Sequence, residues 1–262
     1  MKEWQNALNK FLEQYKNEEW FLGAILTGSY ATGNNNANSD IDVYIVTTDE
    51  TQWRERGNKL VDGYLIEYFI NPVHKILSYF EEETKMYAMS TIGMFVNGKI
   101  LIDKNGIVEK ISSIAKEKIN SSLEPVDEFK VKMNCYRVWD SFDELDSKYK
   151  NNEDIDYVYY MFLQKIIDSY FYNKQIPLMS HSKIEKILTN EEYRSKYNIK
   201  KLPDQTFCNL LINCFKEKDY NQKYECAKEI YNYFLSQHLD FDINNFELRS
   251  SVEISNVNSK SI

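Results

Sequence analysis

The residues best placed to do chemistry are Gly28-Ser29 and, after a ten-residue spacer, Asp40-Ile41-Asp42, which run into the apolar stretch Val43-Tyr44-Ile45-Val46. Ala24-Ile25-Leu26-Thr27 before the glycine has strand composition, and Tyr30 can begin a helix. A strand–turn–helix step of this kind turns backbone N–H groups and the positive end of the helix dipole towards an anion. Asp40 and Asp42 are two residues apart on an expected strand, so both carboxylates share a face about 7 Å apart, while Ile41, Val43 and Ile45 face a core. Asp is depleted in strands, so two on one face call for a reason beyond a solvated hairpin at Asn34–Ser39. Paired carboxylates of this kind can bracket two Mg²⁺ ions about 3.5–4 Å apart, the inorganic core of phosphoryl or nucleotidyl transfer. Gly28 to Gly33 also has the glycine spacing of a P-loop, but Asn34-Asn35 stands where Lys-Ser/Thr belongs, and that reading fails.

A third acid is available downstream. Glu67 is the one charge in the run Tyr64-Leu65-Ile66-Glu67-Tyr68-Phe69-Ile70. It would either share the metal site or discourage edge-to-edge aggregation of a strand.

Glycine-serine, a spacer, D-I-D entering a strand, and a later strand carboxylate together resemble the polymerase-β-like nucleotidyltransferase superfamily. Within it, length and layout are similar to the aminoglycoside nucleotidyltransferases of the kanamycin type. The motif likeness covers 22–70, and it rests on architecture beyond 120. It implies that Asp40, Asp42 and Glu67 hold Mg²⁺, two ions in all, with ATP or another nucleoside triphosphate as co-substrate. The implied nucleotide contacts are Gly28, Ser29, Tyr30, Ser39 and Lys148. Kanamycin-type enzymes also take a general base from the first helix of a helical domain, with a lysine four residues on. Glu144 and Lys148 occupy that spacing here and share a helix face. Glu–Lys pairs four apart are equally common surface features, and Asp140 and Asp143 compete for the role.

The elements that must position these groups follow from patterning. Residues 1–18 place Trp4, Leu8, Phe11, Leu12 and Tyr15 on one helical face. Strands are expected at 22–27, 41–47 and 64–70, with a helix from Asp49 through Leu60 between the last two and a turn at Asp62-Gly63. A helix from His74 to Glu83 follows, then a two-residue turn signal at Asn97-Gly98, a short strand over Lys99–Asp103, and a helix from Ile107 to Ile119. Leu123-Glu124-Pro125 marks a domain change. Beyond it the period is helical at 127–149, 155–173, 181–190, 204–217 and 220–238. The expectation is therefore an α+β protein. A mixed-sheet nucleotidyltransferase domain over 1–122 precedes an all-α bundle over 123–247, with a frayed tail at 248–262. The tyrosine- and phenylalanine-rich run 157–172 reads as core. The helical region lacks the Arg–spacer–His signature of HEPN-type ribonucleases, so it reads as the wall of an acceptor cleft.

Composition narrows the function classes. Of 262 residues 43% are apolar and 15% aromatic, which fits a globular chain with a substantial core. No apolar run approaches the ~18 residues of a membrane span, and the polar N-terminus is unlike a signal peptide. Four cysteines without C-x-x-C pairing and three histidines off ligand spacing exclude a patterned zinc site and read as reduced thiols of a cytoplasmic protein. A net charge of −8 sits better with a small, even cationic, acceptor than with nucleic acid. Three function classes stay open at this point: transfer of AMP to a hydroxyl of a small molecule such as an antibiotic, modification of a protein side chain or tRNA, and a non-catalytic nucleotide-binding module. The oligomeric state, a dimer included, is not legible.

Overall fold

The computed structural model describes residues 2–121, 125–178 and 180–250. The chain forms two units. The first comprises Met1–Glu124 and Ile176–Pro203, and the second comprises Pro125–Gln175 and Asp204–Ile262. The Leu123-Glu124 part of the expected boundary, and most of the expected tail, lie outside the described residues.

The first unit is built on a five-stranded mixed sheet of order β3-β4-β2-β1-β5. Its strands are β1 (Phe21–Thr27), β2 (Ile41–Thr47), β3 (Glu55–Val61), β4 (Tyr64–Pro72) and β5 (Lys99–Asp103). β2 and β4 are parallel, and every other pairing is antiparallel. One face packs Ile41, Val43, Ile45, Ile66 and Ile70 against α1 (Glu3–Leu12), whose Ala7, Leu8, Phe11 and Leu12 are buried. The expected N-terminal helix is thus present but ends at Leu12. The other face packs Ile25, Tyr44 and Val46 against α3 (Val73–Lys85), α4 (Thr91–Asn97) and α5 (Ile107–Asn120). Burial on both faces explains why β1 and β2 read as continuous apolar runs. The fold class is α+β, as expected.

Two local expectations fail. Asp49–Leu60 is not a helix: residues 55–61 form β3, a hairpin partner of β4 that closes through Asp62 (φ 49°) and Gly63 (φ 84°). Positive φ at both central residues is the two-residue hairpin geometry that Asp-Gly favours. β3 is polar because it is the outer strand of the sheet, mostly exposed, and its polar side chains protect that edge. The second failure is Asn97-Gly98, which is no hairpin. It is the C-terminal end of α4, a helix the patterning did not reveal, and the chain passes from it directly into β5. Glu83 fixes the start of α4 by accepting from the N–H groups of Thr91 (2.6 Å) and Ile92 (3.0 Å).

An uninterrupted helical domain over 123–247 is also not what clusters together. Ile176–Pro203, with α8 (Ile184–Thr189) and α9 (Glu191–Lys196), belongs to the first unit. Specific polar contacts tie it there. Leu178 bridges Ala88 and donates its N–H to the Tyr87 carbonyl at 3.0 Å. Asn97 bonds the Tyr197 carbonyl and the Asn198 side chain, and Lys196 reaches Asn34 at 3.1 Å.

The second unit packs α6 (Glu128–Lys150), α7 (Asp156–Asn173), α10 (Gln205–Lys216) and α11 (Tyr220–Ser236). The aromatic-rich helix α7 buries Tyr159, Phe162, Tyr170 and Phe171, as expected of core. Tyr170 stacks on Phe207 with centroids 3.5 Å apart, and its hydroxyl donates to Asp204 at 2.8 Å. None of the four cysteines forms a disulfide. Among the described residues no helix is long and apolar enough to cross a membrane.

Candidate active site

The sheet register builds the site. Thr27 of β1 pairs with Asp42 of β2, and Asp42 pairs with Glu67 of β4, so the three side chains form one row across adjacent strands on one face. Asp40 lies one residue before β2 begins. One carboxylate oxygen each from Asp40, Asp42 and Glu67 falls within 4.8 Å of the others, and all three residues are half-buried. Further along the same face Asp42 is succeeded by Tyr44, which is buried under α4. The acids therefore occupy the stretch of the sheet just before the helical cover begins.

The electrostatics of this row are unfavourable to its own charges. Burial, then the neighbouring charges of Asp40 and Glu67 and a hydrogen bond with Glu67, push the Asp42 carboxyl up to about 7, and Arg56 opposes the rise. Arg56 donates twice to a single Glu67 oxygen, from Nη2 at 2.6 Å and Nε at 3.1 Å. One guanidinium thus faces three acids. In the same row the buried Thr27 hydroxyl has no hydrogen-bond partner among the described residues. Three convergent carboxylates short of cations, all oxygen donors, are the ligand chemistry of Mg²⁺ or Ca²⁺.

The turn before α2 (Gly28–Thr32) is shaped by the same carboxylates. Gly28 has φ 63°, and a Cβ there would lie 1.9 Å from Asp42 Oδ2. Glycine is required both for the left-handed backbone and for the turn to touch the carboxylate. Sequence reasoning assigned this glycine to phosphate; its immediate contact is with Asp42. Ser29 and Tyr30 open α2, so their N–H groups belong to a first turn with no intrahelical acceptor. The Tyr30 side chain is core, packed 5.0 Å from Trp4, and only its backbone remains for a ligand. Ser39 is held in a local turn: its Oγ accepts from the Asn36 N–H at 2.9 Å and its N–H donates to the Asn36 carbonyl.

Glu144 and Lys148 lie on α6, in the second unit. Glu144 is exposed, and Lys148 pairs more closely with Glu153 (2.9 Å) than with Glu144 (3.9 Å). The structure brings together Asp40, Asp42, Glu67 and Gly28.

Residues 7–119, a little under half of the chain, match the family model described as the nucleotidyltransferase domain. The matched segment is the part of the chain that is similar to a nucleotidyltransferase domain. All three acids, the Gly28 turn and Arg56 fall inside it. Among solved structures, a nucleotidyltransferase-like protein from Exiguobacterium sibiricum 255-15 is similar at a TM-score of 0.48 and 10% identity, over 90% of this chain and 76% of that one. No curated protein matches the sequence.

Arg56 and the Thr27 hydroxyl escaped sequence reasoning. Arg56 was hidden by the expectation of a helix over its segment. The hairpin signal at Asp62-Gly63 could have found it, since counting back from a two-residue turn sets Asn58 opposite Glu67 and Arg56 opposite Phe69.

Proposed function

We propose that the nucleotidyltransferase domain moves a nucleoside monophosphate, AMP from ATP, to a hydroxyl of a small-molecule acceptor. The observation that carries this reading is the convergence of Asp40, Asp42 and Glu67 beside the Gly28 turn inside the matched domain. The three carboxylates would hold Mg²⁺, and the bound metal would polarise the α-phosphate and neutralise charge on departing pyrophosphate. The Ser29 and Tyr30 N–H groups, at the start of α2, would bind the β- and γ-phosphate oxygens. Arg56 holds Glu67 in position for its share of the metal site. Glu144 is our candidate for the base that takes the acceptor proton, and Lys148 for a nucleotide contact. The net charge of −8 supports a small acceptor over RNA.

Calorimetry of ATP binding with Mg²⁺ and with EDTA tests the assignment. Without metal the three acids repel the triphosphate, so binding should weaken sharply in EDTA. An unchanged Kd would mean that the phosphates are held elsewhere.

A further inference from the structure

An open pocket of about 520 Å³ lies on the same sheet face as the three acids. This is within the size range of small-molecule sites. Tyr44 and Phe69 line it, and they are the next same-face positions after Asp42 and Glu67 on β2 and β4. Their rings stack at 5.7 Å, and the Arg56 guanidinium sits 4.9 Å over Phe69 while pairing with Glu67. Arg56 thus belongs to both the pocket and the acid cluster, and the two are continuous.

The pocket lining carries two guanidinium groups, of Arg54 and Arg56, and one carboxylate residue, Glu55. Arg54 donates to the Tyr79 hydroxyl at 2.5 Å, and among the described residues no carboxylate forms an ion pair with it. Three of the nearby acids are already engaged. Glu67 is paired with Arg56, Glu83 accepts two N–H groups of α4, and the Glu55 carboxylate accepts the Tyr68 hydroxyl on the opposite side of the sheet. Arg54 is left as a guanidinium with unused donors at the rim of an aromatic floor.

Sheet order supplies a direction. The Gly28-Ser29 turn follows β1, the acids stand on β2 and β4, and Arg56 stands on β3, in the spatial order β3-β4-β2-β1. In an in-line displacement the acceptor oxygen bonds to the α-phosphorus on the side opposite the bond that breaks. The electron pair of that bond leaves with pyrophosphate, and the hydroxyl proton passes to a carboxylate base. With pyrophosphate at the Gly28-Ser29 turn, the acceptor must lie towards β4 and β3.

We propose that this pocket is the acceptor subsite and that the acceptor is a small polyol carrying an anionic group, a phosphate or a carboxylate, held by Arg54 above the Phe69–Tyr44 floor. The inference rests on the nucleotidyl-transfer reading and specifies its acceptor. It departs from the cationic acceptor that net charge favours, because recognition follows the charge local to the pocket. Guanidinium donors bind phosphate and carboxylate oxygens with paired, charge-assisted hydrogen bonds.

A matched series on one carbon skeleton tests it: glucose, gluconate, glucose 6-phosphate and glucosamine, assayed with α-labelled ATP and Mg²⁺ and, separately, for binding by calorimetry. We expect an anionic member to exceed glucose and glucosamine in kcat/KM by about 10-fold or more. Gluconate and glucose 6-phosphate tell the two anions apart. In Arg54→Gln that preference should be lost through KM, with Mg²⁺–ATP affinity unchanged within about two-fold. Equal use of the neutral or cationic sugar, or an unaltered preference in Arg54→Gln, would overturn the proposal. So would weakened ATP binding in that variant, which would assign the pocket to the triphosphate. If no member accepts AMP, binding decides: anion binding to the parent protein that Arg54→Gln abolishes upholds the pocket, and no anion binding overturns it. Failure of the transfer reading is seen separately, as ATP binding that ignores Mg²⁺.

Discussion

Replacing Asp42 by Asn should stabilise the metal-free protein at neutral and alkaline pH. The Asp42 carboxyl rises from 3.8 to about 7 through burial, then the charges of Asp40 and Glu67. The native state therefore keeps this proton through a window in which the unfolded chain has released it. With more protons bound to the native state, stability falls as pH rises across that window, and the full penalty stands above about pH 7. At ~1.4 kcal/mol per pH unit the rise corresponds to ~4 kcal/mol. Water at a half-buried carboxyl screens much of that, leaving about 1–2 kcal/mol for Asp42→Asn to recover. The gain in Tm is then roughly 2–8 °C at pH 8, shrinking as pH falls and reaching zero only well below 3.8, where Asp42 is protonated in both states. Thermal melts in EDTA across pH 4–8.5, followed by tryptophan fluorescence, measure this directly. A variant less stable than the parent at pH 8, or a difference that ignores pH, would refute the electrostatic account of the cluster.

Divalent metal should relieve the same repulsion. Mg²⁺ at about 100 times its Kd should stabilise the parent by ~2.7 kcal/mol in chemical denaturation at pH 8, with most of that lost in Asp42→Asn. Gly28→Ala combines a left-handed backbone with a Cβ 1.9 Å from Asp42 Oδ2. It should cost ~1–3 kcal/mol or more and also weaken Mg²⁺ binding, whereas Gly33→Ala, with open space around its Cβ, should leave Mg²⁺ binding intact. Glu144→Gln should lower kcat by ~10²–10⁴-fold with ATP affinity nearly unchanged if Glu144 is the base; unchanged kcat would remove it from the site.

The parts of the site that could be read from sequence are those encoded by spacing on one strand. Asp40 and Asp42 precede or occupy a continuous apolar run, and β2 forms over Ile41–Thr47 as expected. Glu67 was visible as a single charge in an apolar strand, but its pairing with Asp42 is a property of parallel register between distant segments. Arg56 was lost because β3 is an exposed edge with no alternation to reveal it, and edge strands carry charge for reasons unrelated to periodicity. The attachment of Ile176–Pro203 to the first unit depends on side-chain bonds from Asn97 and Lys196. Helical periodicity carries no record of those. Tyr30 shows the converse limit: its position in the turn was legible, whereas the burial of its ring against Trp4 was not.

Asp40, Asp42 and Glu67 are proposed to act together in metal-dependent nucleotidyl transfer. The most direct measurement is pyrophosphate release from ATP with Mg²⁺ in the presence of the anionic sugar acceptors, paired with intact mass of each acceptor. The account predicts one adenylyl group gained per pyrophosphate released by the parent protein. It also predicts loss of both signals in Asp40→Asn, Asp42→Asn and Glu67→Gln, each of which remains folded. Turnover retained at saturating Mg²⁺ in Asp40→Asn or Asp42→Asn would contradict it.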